Sequence, residues 1–254
     1  MTLEEAIKKR HSVRTYRQAR PDADILNRIS ILCSGSKSIL DDEKARVVII
    51  DKCITGGGIG TYGVIRGAEC YLALLYSKHS KLSAVNAGMA MENIVLRLTQ
   101  MGLGTVWLGG TLSKGDIRKI VNVHEDEYIA ALIPFGYAEE NESFVSRVMS
   151  KMSGSHKRKP LNELFNILAD SDLQTAFEMM RLAPSSLNSQ PWRAVEDRNA
   201  VHFFATTTKG VGLLDLGIGL AHFAAFAPKG YWRVVDNAQN LRNDSEYVIS
   251  YLRQ

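Results

Sequence analysis

Ala183-Pro184-Ser185-Ser186-Leu187-Asn188-Ser189-Gln190-Pro191-Trp192 is the stretch on which the reading of this chain turns. The Pro-Ser-Ser turn ends a helix and leaves backbone N–H groups free, while Asn188 and Gln190 add two amides that both donate and accept. Such a loop can read the edge of a polar heterocycle. It can equally be an Asn/Ser turn at a helix C-terminus, and the ten residues alone leave both open. Ahead of it, Leu161 to Leu168 and Leu173 to Leu182 read as helices. Behind it, strands are expected at Arg193 to Glu196 and Val201 to Ala205, then a helix from Leu213 to Ala227.

Further from the loop, Thr2 and Glu5 form a capping box that opens a short helix ending near Arg10. A basic turn, Arg10-His11-Ser12-Val13-Arg14-Thr15-Tyr16, follows at once. Pro21 and Asp22 start a second helix with Ile25, Ile29 and Leu32 inward, broken at Cys33-Ser34-Gly35-Ser36; Val47 to Ile50 is a buried strand. Gly58, Gly60 and Gly63 make a formal G-x-G-x-x-G. The segment after it, Ala68 to Leu75, reads as a strand and not a helix, and no acid stands about 20 positions on to hold a ribose, so a surface loop is the better reading. Ala84 to Met101 has helical spacing with Gly102 as its C-terminal glycine. Gly102 to Gly110 is a strand running into a glycine turn, Ser113 caps a helix to Val121, and Tyr128 to Phe135 is another strand.

Residues 138–160 are polar and basic and mark an exposed connection, so the chain divides into 1–160 and 161–254. The parts echo each other. Leu182-Ala183-Pro184-Ser185-Ser186 parallels Leu32-Cys33-Ser34-Gly35-Ser36, and Asp215-Leu216-Gly217-Ile218-Gly219 parallels Asn86-Ala87-Gly88-Met89-Ala90. The second part looks like a reduced copy of the first.

With 254 residues, 45% of them hydrophobic, the chain can bury a full core. A net charge of +4, scattered along the sequence, does not argue for nucleic acid. No apolar run reaches the roughly 20 residues of a membrane helix, and the acidic start is unlike a leader, so a soluble cytoplasmic protein is expected. Cys33, Cys53 and Cys70 form no pair or ligand pattern and are expected to be buried thiols. The six histidines show no metal spacing. His222 and Asp215 read as core packing and a helix N-terminal charge. Trp107, Tyr62 and Phe135 could wall a pocket or be plain core.

Arg10, Ser12 and Arg14 offer two guanidiniums and a hydroxyl within five residues, a grouping suited to a phosphate monoester. A solvated basic turn would look the same. Taken together, Arg-x-Ser-Val-Arg at 10–14, Gly-Leu-Gly-Thr-x-Trp-x-Gly at 102–109, Arg-Lys-Pro-Leu at 158–161 and the Pro-Ser-Ser-x-Asn-x-Gln-Pro-Trp loop resemble the FMN-dependent nitroreductase family over nearly the whole chain. One departure matters: in that family the Pro-Ser-Ser loop follows the second helix, where Cys33 to Lys37 stands here. The displacement resembles a two-subdomain branch, in which one chain imitates the family's homodimer.

The resemblance implies an α+β fold, an antiparallel-rich sheet flanked by helices, assembled from two similar subdomains. It implies FMN, with Arg10, Ser12 and Arg14 on the phosphate and Arg158 closing from the connection. Leu108 and Gly109 would lie beside the isoalloxazine, and Pro184, Ser185, Ser186, Asn188 and Gln190 would complete the site from the other subdomain. The flavin carries the chemistry, so no catalytic side chain is required. NADH or NADPH would be the donor, and a nitro compound, quinone or similar small molecule the acceptor. The second part has no basic turn and the first no intact Pro-Ser-Ser loop, so one flavin per chain is expected, in a monomer acting as a pseudo-dimer. No metal, nucleic acid or membrane partner is implied. The alternatives are a non-catalytic flavin or small-ligand binding protein on this scaffold, or another flavin reaction such as dehalogenation or flavin fragmentation.

Overall fold

A computed structural model describes residues 1–35, 45–55, 59–77, 80–139, 154, 157–209, 211–236, 238 and 243–254. Residues 56–58 of the expected glycine loop at 56–63 and most of the connection at 138–160 lie outside them.

The first sheet is built by β1 (Ala45–Asp51), β2 (Cys70–Ser77), β3 (Gly104–Thr105) and β4 (Glu127–Gly136), in the order β1-β2-β4-β3 and antiparallel throughout. β2 is apolar along almost its whole length because both of its faces are covered. Cys70, Leu72, Leu74 and Tyr76 join the core under the helices, while Tyr71, Ala73 and Leu75 join a second cluster on the opposite face. Helices α1 (Leu3–Lys9), α2 (Ala23–Ser34) and α4 (Lys81–Gln100) begin at side-chain caps from Thr2, Asp22 and Ser80; α3 (Lys52–Thr55) is a single turn, and α5 (Lys114–Ile120) starts on Ser113. α4 starts three residues before the expected Ala84. Gly102, at φ 83°, follows its C-terminus in the left-handed region where a side chain is strained.

The second sheet has the order β5-β6-β7-β9-β8, from β5 (Phe165–Asn166), β6 (Trp192–Glu196), β7 (Ala200–Ala205), β8 (Gly230–Arg233) and β9 (Glu246–Arg253). Short α6 (Leu161–Leu164), α7 (Gln174–Arg181) and α8 (Gly212–Ala224) accompany it. Leaving out β5, this repeats the first sheet: helix, two antiparallel strands, a long helix, then an edge strand and an inner strand, in one order. Even the irregularities agree. The ladder of β2 on β4 shifts between Leu74 and Leu75, and that of β7 on β9 between Phe203 and Phe204, 129 residues later in each case. The second part thus repeats the strand order of the first in a shorter stretch of chain, without a counterpart of α1 or α5 among the described residues.

The two halves meet along α4 and α8, and the largest core cluster runs through both of them without a break. The crossing is closest at two glycines. A Cβ on Gly88 would come within 2.1 Å of the Leu214 carbonyl oxygen, and one on Gly217 within 1.9 Å of that of Val85. This reciprocity is the signature of a two-fold contact. Gly217 also follows Gly88 by 129 residues.

Other expectations need correction. Leu161 to Leu168 is not one helix: after a single turn, Phe165 and Asn166 leave to pair in parallel with Ala194 and Val195. The helix expected to reach Ala227 ends at Ala224. Cys53 is exposed, on the outward side of α3 beside Ile54. Burial pushes the Cys33 and Cys70 thiols up to about 12. Among the described residues no helix is long and apolar enough to cross a membrane, and no group of side chains could hold a metal ion.

Candidate cofactor site

α1 ends on Arg10, whose N–H donates to the Ala6 carbonyl. From there the chain runs extended along the edge of the first sheet. Ser12 bridges Thr105, the Val13 N–H donates to the Thr105 carbonyl at 2.9 Å, and the Tyr16 hydroxyl donates to the carbonyls of Val13 and Pro134. Backbone bonds between Arg14, Tyr16 and Arg66 pin the other side. The three residues expected to hold a phosphate therefore sit on a fixed backbone. The segment that carries Leu108 runs on from Thr105. Leu108 is buried and exchanges two backbone bonds with Leu132, whereas Gly109 is exposed, with open space where a side chain would be.

The Arg10 guanidinium is the unusual group here. Its Nε is enclosed and has no hydrogen-bond partner among the described residues. Burial lowers its pKa from the ordinary arginine value, and Glu92 partly offsets this. An enclosed guanidinium with an unused donor fits an anion.

The connection reaches this place through Arg158, which residues of the second half hold. Its Nη1 donates to Asn188 Oδ1 at 3.0 Å and its Nη2 to the Leu182 carbonyl at 3.2 Å. Burial, and then the cations of Arg10 and Arg181, bring its pKa down to about 10. A guanidinium depressed by burial and by the neighbouring Arg10 cation supplies the field an anionic group would relieve. The Pro-Ser-Ser loop is organised around Arg158. Asn188 Nδ2 donates to the carbonyls of Gly154 and Lys157, Gln190 Oε1 accepts the Lys159 N–H at 2.9 Å, and the Gln190 N–H donates to Ser185 Oγ. The two amides are thus engaged in fixing the Arg158 segment. Leu187, Asn188 and Gln190 have φ of 51°, 55° and 49°, a cluster of left-handed non-glycine residues of the kind stored at functional sites. Asp215 accepts the Ser186 N–H at 3.0 Å and ties the loop to the start of α8.

A family model described as "Putative TM nitroreductase" matches residues 2–227. The chain belongs to this nitroreductase family. Among curated proteins none matches it. Among solved structures, a "putative nitroreductase" from Thermotoga maritima is 22% identical with a TM-score of 0.63, covering 99% of this chain and 94% of that one; this likeness establishes the fold. Two further structures resemble about half of it. A nitroreductase with bound FMN from Desulfitobacterium hafniense is 17% identical over 56% of this chain and 92% of that one, TM-score 0.46. An iodotyrosine deiodinase bound to FMN and 3-iodo-L-tyrosine is 18% identical over the same shares, TM-score 0.43.

The expected residues are not gathered around the cleft that the described residues form. A cleft of about 310 Å³ opens beside the basic turn, between Lys9, His11, Arg17, Leu103 and Tyr137, and of the expected residues only Arg10 lines it. The aromatic walls part company too. Phe135 is core, Tyr62 is 77% exposed, and Trp107 donates its indole N–H to Glu92 at 2.8 Å. Glu92 is the residue the sequence reading missed. It is fully buried on α4 and also meets His222 of α8 at 2.9 Å. Its spacing was the available signal: a carboxylate seven residues after Val85 and four before Leu96 lies on the inward face of the helix.

Proposed function

We propose that this chain is an FMN-dependent oxidoreductase that takes electrons from NADH or NADPH and passes them to a nitro compound, a quinone or a similar small acceptor. The observation that carries the reading is the pairing of Arg10, from the basic turn, with Arg158, from the connection and held by the Pro-Ser-Ser loop of the second half, around an enclosed and unused guanidinium donor in a chain of the nitroreductase family. Arg10, Ser12, Arg14 and Arg158 would hold the phosphate. Leu108 and Gly109 would back the ring, with Gly109 offering bare backbone for close approach, and Pro184, Ser185 and Ser186 would close the site from the second half. Asn188 and Gln190 keep Arg158 in place. When bound, FMN supplies the hydride chemistry in two half-reactions at one site, so the protein's part is binding, orientation and electrostatics. Residues 1–160 and 161–254 act as two subdomains that imitate a homodimer within a monomer.

In the test, Arg10→Ala and Arg14→Ala lose bound FMN while circular dichroism stays that of the wild type. The wild type bleaches on addition of NADH or NADPH and recolours with an acceptor. Unchanged flavin affinity in both variants refutes the phosphate assignment. A protein that stays yellow under both donors is a binding protein on the same scaffold.

A further inference from the structure

The cleft beside the basic turn is lined by Lys9, Arg10, His11 and Arg17, and by no acidic side chain among the described residues. Val13, Leu103 and Tyr137 give it an apolar part. The turn has two faces. Successive side chains of an extended segment point to opposite sides, and His11 and Val13 line the cleft while Ser12 and Arg14 do not. Of the residues assigned to the flavin phosphate, only Arg10 belongs to both faces. The walls are held by backbone bonds: the Val13 N–H donates to the Thr105 carbonyl at 2.9 Å, the Arg17 N–H to that of Tyr137 at 2.9 Å and the Leu103 N–H to that of Leu98 at 3.0 Å. Gly104 lies so close to Val13 that a Cβ there would come within 2.7 Å of its side chain. The volume of about 310 Å³ is at the lower end of the range of small-ligand sites, and far more than a lone phosphate fills.

We propose that this cleft is a second anion site, separate from the flavin phosphate, and that it takes a nucleoside monophosphate: Lys9, His11 and Arg17 face the phosphate, and Val13, Leu103 and Tyr137 receive the base. A dianion complements a lining that is cationic and free of carboxylates. A planar base complements an aromatic ring beside aliphatic side chains. The proposal does not depend on the FMN reading. One chemistry, a phosphomonoester on a nucleoside, has two sources here: a free mononucleotide, or the adenosine end of NADPH with its 2′-phosphate.

The test titrates the full chain, saturated with FMN, with 5′-AMP, 2′-AMP, adenosine and inorganic phosphate in a calorimeter. One of the nucleotides should bind at least about tenfold tighter than adenosine and phosphate, because one molecule then engages both parts of the lining. Lys9 and Arg17 are exposed, so their loss leaves the fold intact. Lys9→Ala and Arg17→Ala should each weaken the nucleotide about fivefold, the upper end for one exposed charge pair, and leave FMN affinity unchanged. Arg14→Ala, on the other face, should leave nucleotide binding unchanged. If 2′-AMP is the tighter by about tenfold, NADPH is the source, and Arg17→Ala must lower kcat/KM for NADPH and not for NADH; otherwise the source is a free mononucleotide. Nucleotide binding no tighter than that of adenosine and phosphate, or untouched by Lys9→Ala and Arg17→Ala, overturns the proposal. An equal loss in Arg14→Ala also overturns it, because the nucleotide then sits on the flavin-phosphate face. If the chain takes up no FMN, the cofactor reading has failed, and the same substitutions, titrated on the flavin-free chain, decide the nucleotide site alone.

Discussion

Asp215 is 4% exposed in the first turn of α8, and its carboxyl carries the Ser186 end of the Pro-Ser-Ser loop. Burial pushes its pKa up to about 7, against the pull of the Ser186 N–H. An unfolded aspartate titrates near 3.9. Between about pH 4 and 7 the folded chain therefore keeps a proton that the unfolded chain has lost, and stability falls as pH rises through that window. Over about three units the loss approaches roughly 4 kcal/mol. Asp215→Asn cannot ionise, yet its side-chain oxygen can still accept from Ser186. It should match the wild type at pH 4 and exceed it by up to about 4 kcal/mol at pH 8. Urea unfolding at the two pH values decides this, and parallel pH profiles would show that the buried carboxyl is not the cause. At this scale the sequence was a partial guide. Arg10, Arg158, Asn188 and Gln190 could be named from motifs, but that the amides serve Arg158 depends on contacts some 30 residues apart, which no local pattern encodes.

The α4–α8 crossing shows what was legible in the elements. Asn86-Ala87-Gly88 and Asp215-Leu216-Gly217 could be matched by eye because each places a glycine where another backbone must pass, and the structure sets each glycine against the other helix. Gly88→Ala or Gly217→Ala should cost about 3 kcal/mol by overpacking. In a chain of this size that lowers the melting temperature by roughly 6–12 °C. Gly115, inside α5 with no atom closer than 4.0 Å to its added Cβ, gives the control of opposite sign. Gly115→Ala should stabilise by up to about 1 kcal/mol. Thermal unfolding of the three variants checks both directions, and a tolerated alanine at Gly88 would mean that the helices do not cross so closely. The elements that went unread are those whose identity is set from outside. Phe165-Asn166 is a strand only because β6 lies beside it, and β8 presents alternate residues at the edge of a sheet whose inner strand, β9, comes after it in sequence.

At the scale of the whole molecule, the two sheets repeat one strand order around a shared core, yet the chain carries a single basic turn and a single intact Pro-Ser-Ser loop, in opposite halves. The family and the α+β class were legible from four motifs. The continuity of the core was not, because a sequence gives the face each residue offers and not what it meets. If each half supplies only part of one site, the molecule has a single cofactor place, assembled within the chain. The most direct measurement is flavin per chain after loading with FMN and desalting, made together with the mass of the species in solution. The account predicts close to one FMN per 28.2 kDa monomer. Two per chain, or one per pair of chains, would contradict it, and so would a loaded protein that holds none.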